Sequence, residues 1–126
     1  MSHLSPTCAR VAVAAGLLIG SIAVSWAAGA MAVGACAAYG YAYDFKQLTD
    51  ARSAALAKCV GSKCKVVGVM QHACGAFAID GHKPCGPAGY AFAAQLAQAE
   101  NLALQYCYQY GGRDCVIRAF ACDAKG

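Results

Sequence analysis

Residues 47 to 59 read "QLTDARSAALAKC" and residues 95 to 107 read "QLAQAENLALQYC". Leu48, Ala51, Ala55 and Cys59 are spaced three, four and four apart, and Leu96, Ala99, Ala103 and Cys107 repeat that spacing. Residues so spaced share one face of a helix, which predicts helices over roughly 48–60 and 95–109, each with a narrow stripe of small residues. Asp50, Arg52 and Lys58 fall off the stripe, and Thr49 or Asp50 is placed to cap the first helix. After each helix the period changes. "CKVVGVMQHAC" (64–74) and "CVIRAFAC" (115–122) are rich in Val, Ile and Phe and follow the turn residues Gly61-Ser62 and Gly111-Gly112-Arg113-Asp114, so they predict strands. "GAFAID" (75–80) predicts another strand, ending at the loop "GHKPCGPAG", where glycine and proline break regular structure. The phrases "AAYGYAYDF" and "GYAFAA" alternate small and aromatic residues and predict the first strand of each unit.

The doubling of these patterns is itself informative. Six of the thirteen aligned positions are identical (Gln47/Gln95, Leu48/Leu96, Ala51/Ala99, Ala55/Ala103, Leu56/Leu104 and Cys59/Cys107), where chance gives roughly one or two. Each copy then runs strand, helix, cysteine, loop, cysteine, strand, cysteine. The expected fold is α+β: two β-α-β repeats, about 39–74 and 88–122, forming one small antiparallel or mixed sheet with two helices on one face. Both fall in a single domain spanning 36–123.

The N-terminal end has a different character. No charged residue lies between Arg10 and Asp44, and "VAVAAGLLIGSIAV" (11–24) is almost wholly aliphatic. Small-residue triplets follow at Ala28-Gly29-Ala30 and Ala30-Met31-Ala32. This order predicts a secretory signal peptide over 1–32, cut after Ala30, Ala32 or Ala35. Two other readings stay open: an uncleaved membrane anchor, since the run is long enough to span a bilayer, and a lipidated Cys36, against which the apolar core ends too early. Any membrane attachment would run through an uncleaved leader.

Beyond the leader eight cysteines remain: Cys36, Cys59, Cys64, Cys74, Cys85, Cys107, Cys115 and Cys122. An even number in a short exported chain predicts a disulfide framework. The duplication pairs Cys59 with Cys64 and Cys107 with Cys115 as local bridges pinning helix to strand. It also pairs Cys74 with Cys122, the equivalent strand ends, and Cys36 with Cys85, the two unrepeated cysteines. No C-x-x-C occurs in the chain, which counts against both zinc and thioredoxin-like redox chemistry. His72 and His82, near Cys74 and Cys85, permit a metal site only if those cysteines are free. No metal and no cofactor is expected.

Charge narrows the partners. The 60% hydrophobic composition is concentrated in the leader, and the remainder carries nine Lys or Arg against six Asp or Glu. That excess is mild, and its densest cluster, Lys58, Lys63 and Lys65, reads as a solvated loop rather than the aromatic-interleaved basic stripe of a nucleic-acid binder. No nucleic acid is expected.

The run "GYAYDF … ARSAALAKC … CKVVGVMQHACGAFAID … GYAF … AENLALQYC … GGRDCVIRAFAC" resembles the bacterial secreted proteins grouped as domain of unknown function 4189. The resemblance covers about residues 39–122, with Cys64 to Val67 and Ala73 to Ala76 as its most specific pieces. The chain departs from the family's pattern in lacking tryptophan after the leader and in carrying Cys36 and Cys85. The resemblance implies export and a compact α+β fold; it implies no reaction and no catalytic residue.

Candidate chemistry is sparse. After the leader there are two serines (Ser53, Ser62), one threonine (Thr49) and two histidines (His72, His82), and no G-x-S-x-G elbow. The one arrangement that could serve a hydrolase pairs His72 with Asp80 or Asp114. All seven tyrosines follow the leader: Tyr39, Tyr41, Tyr43 and Tyr90 on strands, and Tyr106, Tyr108 and Tyr110 near the end of the second helix. The strand tyrosines suit a core otherwise built of alanine and valine. Tyr106, Tyr108 and Tyr110 are the candidate binding surface, since tyrosine joins a broad apolar body to a polar tip. The function expected is a binding or interaction module in the periplasm or extracellular space, its partner an unidentified protein or envelope component. A structural cell-envelope protein is the alternative, and a hydrolase using His72 comes third.

Overall fold

The computed structural model describes residue 16 and residues 27–123. Eight elements follow in chain order: β1 (Ala28–Val33), β2 (Tyr39–Phe45), α1 (Leu48–Lys58), β3 (Lys65–Met70), β4 (Cys74–Asp80), β5 (Lys83–Ala93), α2 (Leu96–Gln109) and β6 (Cys115–Cys122). They form two antiparallel three-stranded sheets, ordered β2-β1-β3 and β5-β4-β6. Each half of the chain therefore runs strand, strand, helix, strand, with the first strand in the middle of its sheet.

The structure differs here from the expected repeat. Residues 28–32, read from the sequence as the end of the leader, form most of β1, whose six residues are all buried. The units are consequently not β-α-β, and they begin earlier than residues 39 and 88: a central strand precedes the strand-helix-strand crossover in each. Further upstream, residues 1–15 and 17–26, which hold nearly all of the apolar run of the predicted leader, lie outside the described residues. Among the described residues no helix is long and apolar enough to cross a membrane.

The helices also do not share one face of one sheet. Ala30, Ala32 and Ala42 pack against Ala51 and Ala55 of α1, while Ala76, Ala78 and Ala91 pack against Ala99, Ala103 and Cys107 of α2. Met31, Val33, Phe77, Ile79 and Ala119 form a third cluster between the sheets. Alternation explains the layering: along β1 and β4, alanines point to the helix while Met, Val, Phe and Ile point to the other sheet. Both central strands are buried on both faces, giving helix, sheet, sheet, helix from outside to outside.

The small-residue stripes bring each helix down onto its strand. A Cβ added at Gly40 would lie under 3.0 Å from Ala55 O and Cys59 N, and one added at Gly89 under 3.0 Å from Ala103 O and Cys107 N. These are the glycines of the doubled phrase, and the helix backbone occupies the space their side chains would take. Neither helix has a side-chain cap at its start: the capping positions are Gln47 and Gln95, not Thr49 or Asp50.

Four disulfides lock the frame. Cys59–Cys64 and Cys107–Cys115 close the helix-to-strand connections, Cys74–Cys122 joins β4 to β6, and Cys36–Cys85 joins the two sheets. The segment 81–89, expected to be a loop, is largely strand. Ile79 pairs with Ala88 but Asp80 pairs with Lys83, so residues 84–87 bulge out between them. β5 is an edge strand, where Pro84 and Pro87 lose no ladder bond, and the bulge carries Cys85 to the β1–β2 turn. In that turn Cys36 and Ala37 both have positive φ, 56° and 66°, a conformation costly for residues with a Cβ.

Two stability measurements test this packing. Gly40→Ala or Gly89→Ala is expected to cost about 1–3 kcal/mol or more, as overpacking does, whereas Gly81→Ala, whose Cβ would find no atom closer than 3.5 Å, leaves the urea midpoint nearly unchanged. Replacing Cys36 and Cys85 together by alanine frees a chain separation of 49 residues, against 5 for Cys59 and Cys64. Loop entropy puts the losses at about 4 and about 2 kcal/mol, so the first double variant is expected to melt lower than the second.

Candidate functional site

Three places collect polar or aromatic side chains. The first is the β4–β5 turn. The Asp80 carboxylate, on a buried residue, accepts hydrogen bonds from the backbone N–H of His82 (2.9 Å) and of Arg113 (3.1 Å), tying the hairpin to the α2–β6 loop. Above it the exposed His82 Nε2 lies 3.3 Å from Asp114 Oδ2. The N–H of Arg113, then that of His82, holds the Asp80 carboxyl below its ordinary 3.8.

The second is the β3–β4 turn, at the opposite end of β4. Asp123, fully buried, accepts from the backbone N–H groups of His72 and Ala73, both at 2.7 Å. His72 itself has a positive φ of 54°, and with Ala27, Ala28, Lys46, Leu48 and Gln71 it lines a shallow pocket of about 200 Å³. The pairing of His72 with Asp80 or Asp114 is not assembled. Those two carboxylates serve His82 and Arg113 at the far turn, and Asp123 is occupied by backbone amides. The residues a hydrolase would need are held apart by the length of β4.

The third is an aromatic row on β2. Gly40 and Ala42 face α1, so Tyr39, Tyr41 and Tyr43 face the other way, and their rings stack in order at 6.2 Å between centroids, with interplanar angles of 7° and 22°. A bulge in β6 brings a cation to this row. Phe77 pairs with Ala119 and Ala78 with Ile117, which leaves Arg118 as the extra residue, and a bulge re-aims its side chain. The Arg118 guanidinium sits 5.1 Å from the Tyr39 ring centroid, and its Nε donates to Ala37 O at 3.4 Å. Tyr39 is packed under this contact while Tyr43 is 51% exposed. Phe120 and Val116, on the same edge strand as Arg118, are also exposed.

The sequence pattern assigns the row to the core, and the structure places only its inner end there. Its counterpart in the other half shows why. Tyr41 pairs with Met31 as Tyr90 pairs with Phe77, so Tyr43 corresponds to Phe92. Phe92 lies over Gly68 and Gly75 and closes the gap between the sheets. The glycine matching Gly75 is Gly29, and there the fully buried Met70 sets its Cε where Phe92 sits in the other half, while Tyr43 stacks on Tyr41. The sequence signal for this was the Phe-to-Tyr difference between the two phrases.

Tyr106, Tyr108 and Tyr110 are exposed to 40%, 49% and 69%. They do not form one surface, because Cys107 belongs to the buried stripe and helical spacing puts Tyr106 and Tyr110 on one flank of it and Tyr108 on the other. Tyr106 lies against Gly89.

Asp80 gives a pH test. A carboxyl held below its unfolded value contributes stability that is complete above about pH 3.8 and is lost as the pH falls through the folded value. Acid unfolding of the wild type is therefore expected to steepen below pH 4. Asp80→Asn is expected to be less stable at pH 7 and to show a flatter acid limb, followed by circular dichroism at fixed urea.

Comparison with known proteins bears on the whole frame. The family model described as "Domain of unknown function (DUF4189)" matches residues 26–122, including β1 and both sheets. No curated protein and no solved structure matches the chain.

Proposed function

The chain belongs to the DUF4189 family, and from that premise we propose that it is an exported binding module whose recognition surface is the β2 tyrosine row with Arg118. Four disulfides support an oxidising compartment, the periplasm or the exterior. The observation that carries the binding reading is the stacked row of Tyr39, Tyr41 and Tyr43 ending under a guanidinium.

Such a surface costs little to organise. Tyr39 is held by packing and Arg118 by Tyr39 and Ala37 O, so a partner meets rings and a cation already in place, with little side-chain entropy left to lose. The Arg118 Nη groups make no hydrogen bond or ion pair among the described residues, and a planar guanidinium matches a carboxylate or carbonyl acceptor. The partner proposed is a protein or envelope component that sets an acceptor against Arg118 and a flat apolar face against Tyr41 and Tyr43.

The test is capture of a partner from envelope and secreted fractions by the purified oxidised protein, followed by affinity measurement with variants. Tyr43→Ser and Arg118→Ala are each expected to weaken binding about tenfold or more, and Tyr108→Ser to leave it unchanged. Equal binding by all variants defeats this surface, and absence of any partner favours a structural envelope role.

A further inference from the structure

Strand β1 fixes where a leader can end. Ala28 is 3% exposed and Ala30, Met31 and Ala32 are fully buried. Because β1 is the central strand, the same residues serve two ladders: Ala30, Met31 and Ala32 pair with Ala42, Tyr41 and Gly40 of β2, and with Val69, Gly68 and Val66 of β3. A cut after Ala30 removes half of this strand, a cut after Ala32 nearly all of it, and a cut after Ala35 all of it together with part of the turn that holds Cys36. Each leaves β2 and β3 facing a gap, with their inner N–H and C=O groups unpaired. The small residues after position 27 belong to a buried strand, whose alanines give α1 room to approach.

Upstream, three successive triplets have the small-residue spacing a signal peptidase reads, Ser21-Ile22-Ala23, Ala23-Val24-Ser25 and Ser25-Trp26-Ala27, and the first lies wholly inside the aliphatic run. The aliphatic run ends at Val24, so a cut after Ser25 leaves almost no segment between the membrane core and the enzyme, whereas a cut after Ala27 leaves Ser25, Trp26 and Ala27. We infer that the leader is removed between Ala27 and Ala28, so that the mature chain begins on the first residue of β1. In that step water adds to the Ala27 carbonyl carbon and the C–N bond to Ala28 breaks. Ala27 keeps the carboxylate on the leader, and Ala28 leaves as an ammonium group. The peptidase acts on the extended chain at the membrane before the domain closes, so burial of Ala28 in the fold does not hinder it. The matched family region, 26–122, begins within two residues of this bond.

This inference rests on the export reading, and one experiment separates the two. The full chain is expressed in a host with an oxidising periplasm, and the product is characterised by subcellular fractionation, by intact mass with and without reduction and alkylation, and by N-terminal sequencing. The expected product is a soluble periplasmic chain starting at Ala28 with eight protected cysteines. Ala27→Leu, which places a large residue at the cut and lies outside β1, is expected to accumulate full-length precursor in the membrane fraction. An exported chain starting at residue 26, 31, 33 or 36, an exported chain that keeps Met1, or normal processing of Ala27→Leu overturns the position of the cut. A cytoplasmic chain with free thiols and Met1 intact overturns export, and this inference with it.

Discussion

The approach of each helix to the strand beneath it is the constraint from which the remaining packing follows. Gly40 and Gly89 leave the space into which the backbone of α1 and of α2 descends, and the middle of each facing stripe, Ala51 and Ala55 or Ala99 and Ala103, carries nothing larger than alanine. At that separation, layers built from Ala30, Ala32, Ala51 and Ala55, or from Ala76, Ala78, Ala99 and Ala103, interlock without bulk. Tight layers of small residues bury little apolar area per residue, and burial of area is what stabilises a domain of this size. The fold meets that shortfall in two ways. Its central strands are buried on both faces, the second against the other sheet, and four disulfides restrict the unfolded chain. The larger side chains, Met31, Phe77 and Ile79, are reserved for the single interface between the sheets.

What the sequence made legible follows from this physics. The helices were readable because a small-residue stripe still has the helical period, even when alanine replaces leucine. The cysteine frame was readable because equivalent cysteines in two like units occupy equivalent ends of elements. β1 was not readable, for a specific reason: a processing site and a strand packed under a helix both select alanine and glycine, one for a narrow enzyme cleft and the other for a close backbone. Continuous with the aliphatic run and without a charge until Asp44, "AGAMAV" carried no mark of its own. The mark lay 46 positions away. "GAMAV" at 29–33 matches "GAFAI" at 75–79 in its small residues and in the alternation of larger ones, and the two are the central strands of the two sheets.

Missing that strand also misplaced the tyrosines. With a single sheet, aromatic residues on a first strand have only the core to occupy. With two sheets face to face, β2 is an edge, and a ring pointing between the sheets at an edge is covered on one side and open on the other. Tyr39 is on the covered side of that boundary and Tyr43 on the open side. The same geometry demoted the "YCYQY" stretch. Its cysteine, the second residue of the five, is drawn into the buried stripe of α2, and helical spacing then sets the first and last tyrosines on one flank of that stripe and the third on the other.

The halves differ most where a shared backbone plan receives unlike side chains. At the sheet-to-sheet boundary one half has Phe92 over Gly68, an apolar plug over a residue without a side chain. The other has the buried Met70 over Gly29 and Tyr43 half-exposed, a ring with a polar tip in reach of solvent. The bulge residues differ in the same sense: Val67 occupies in β3 the extra position that Arg118 occupies in β6. Phenylalanine and valine at these positions close an edge, and tyrosine and arginine leave it open with hydrogen-bonding groups in reach of solvent. Stability alone would favour the closed version in both halves, since burying a ring is worth more than stacking it half-exposed. The open version in one half, oriented by a cation–π contact and a backbone carbonyl, is the physical ground on which the proposal of a recognition surface at that edge rests.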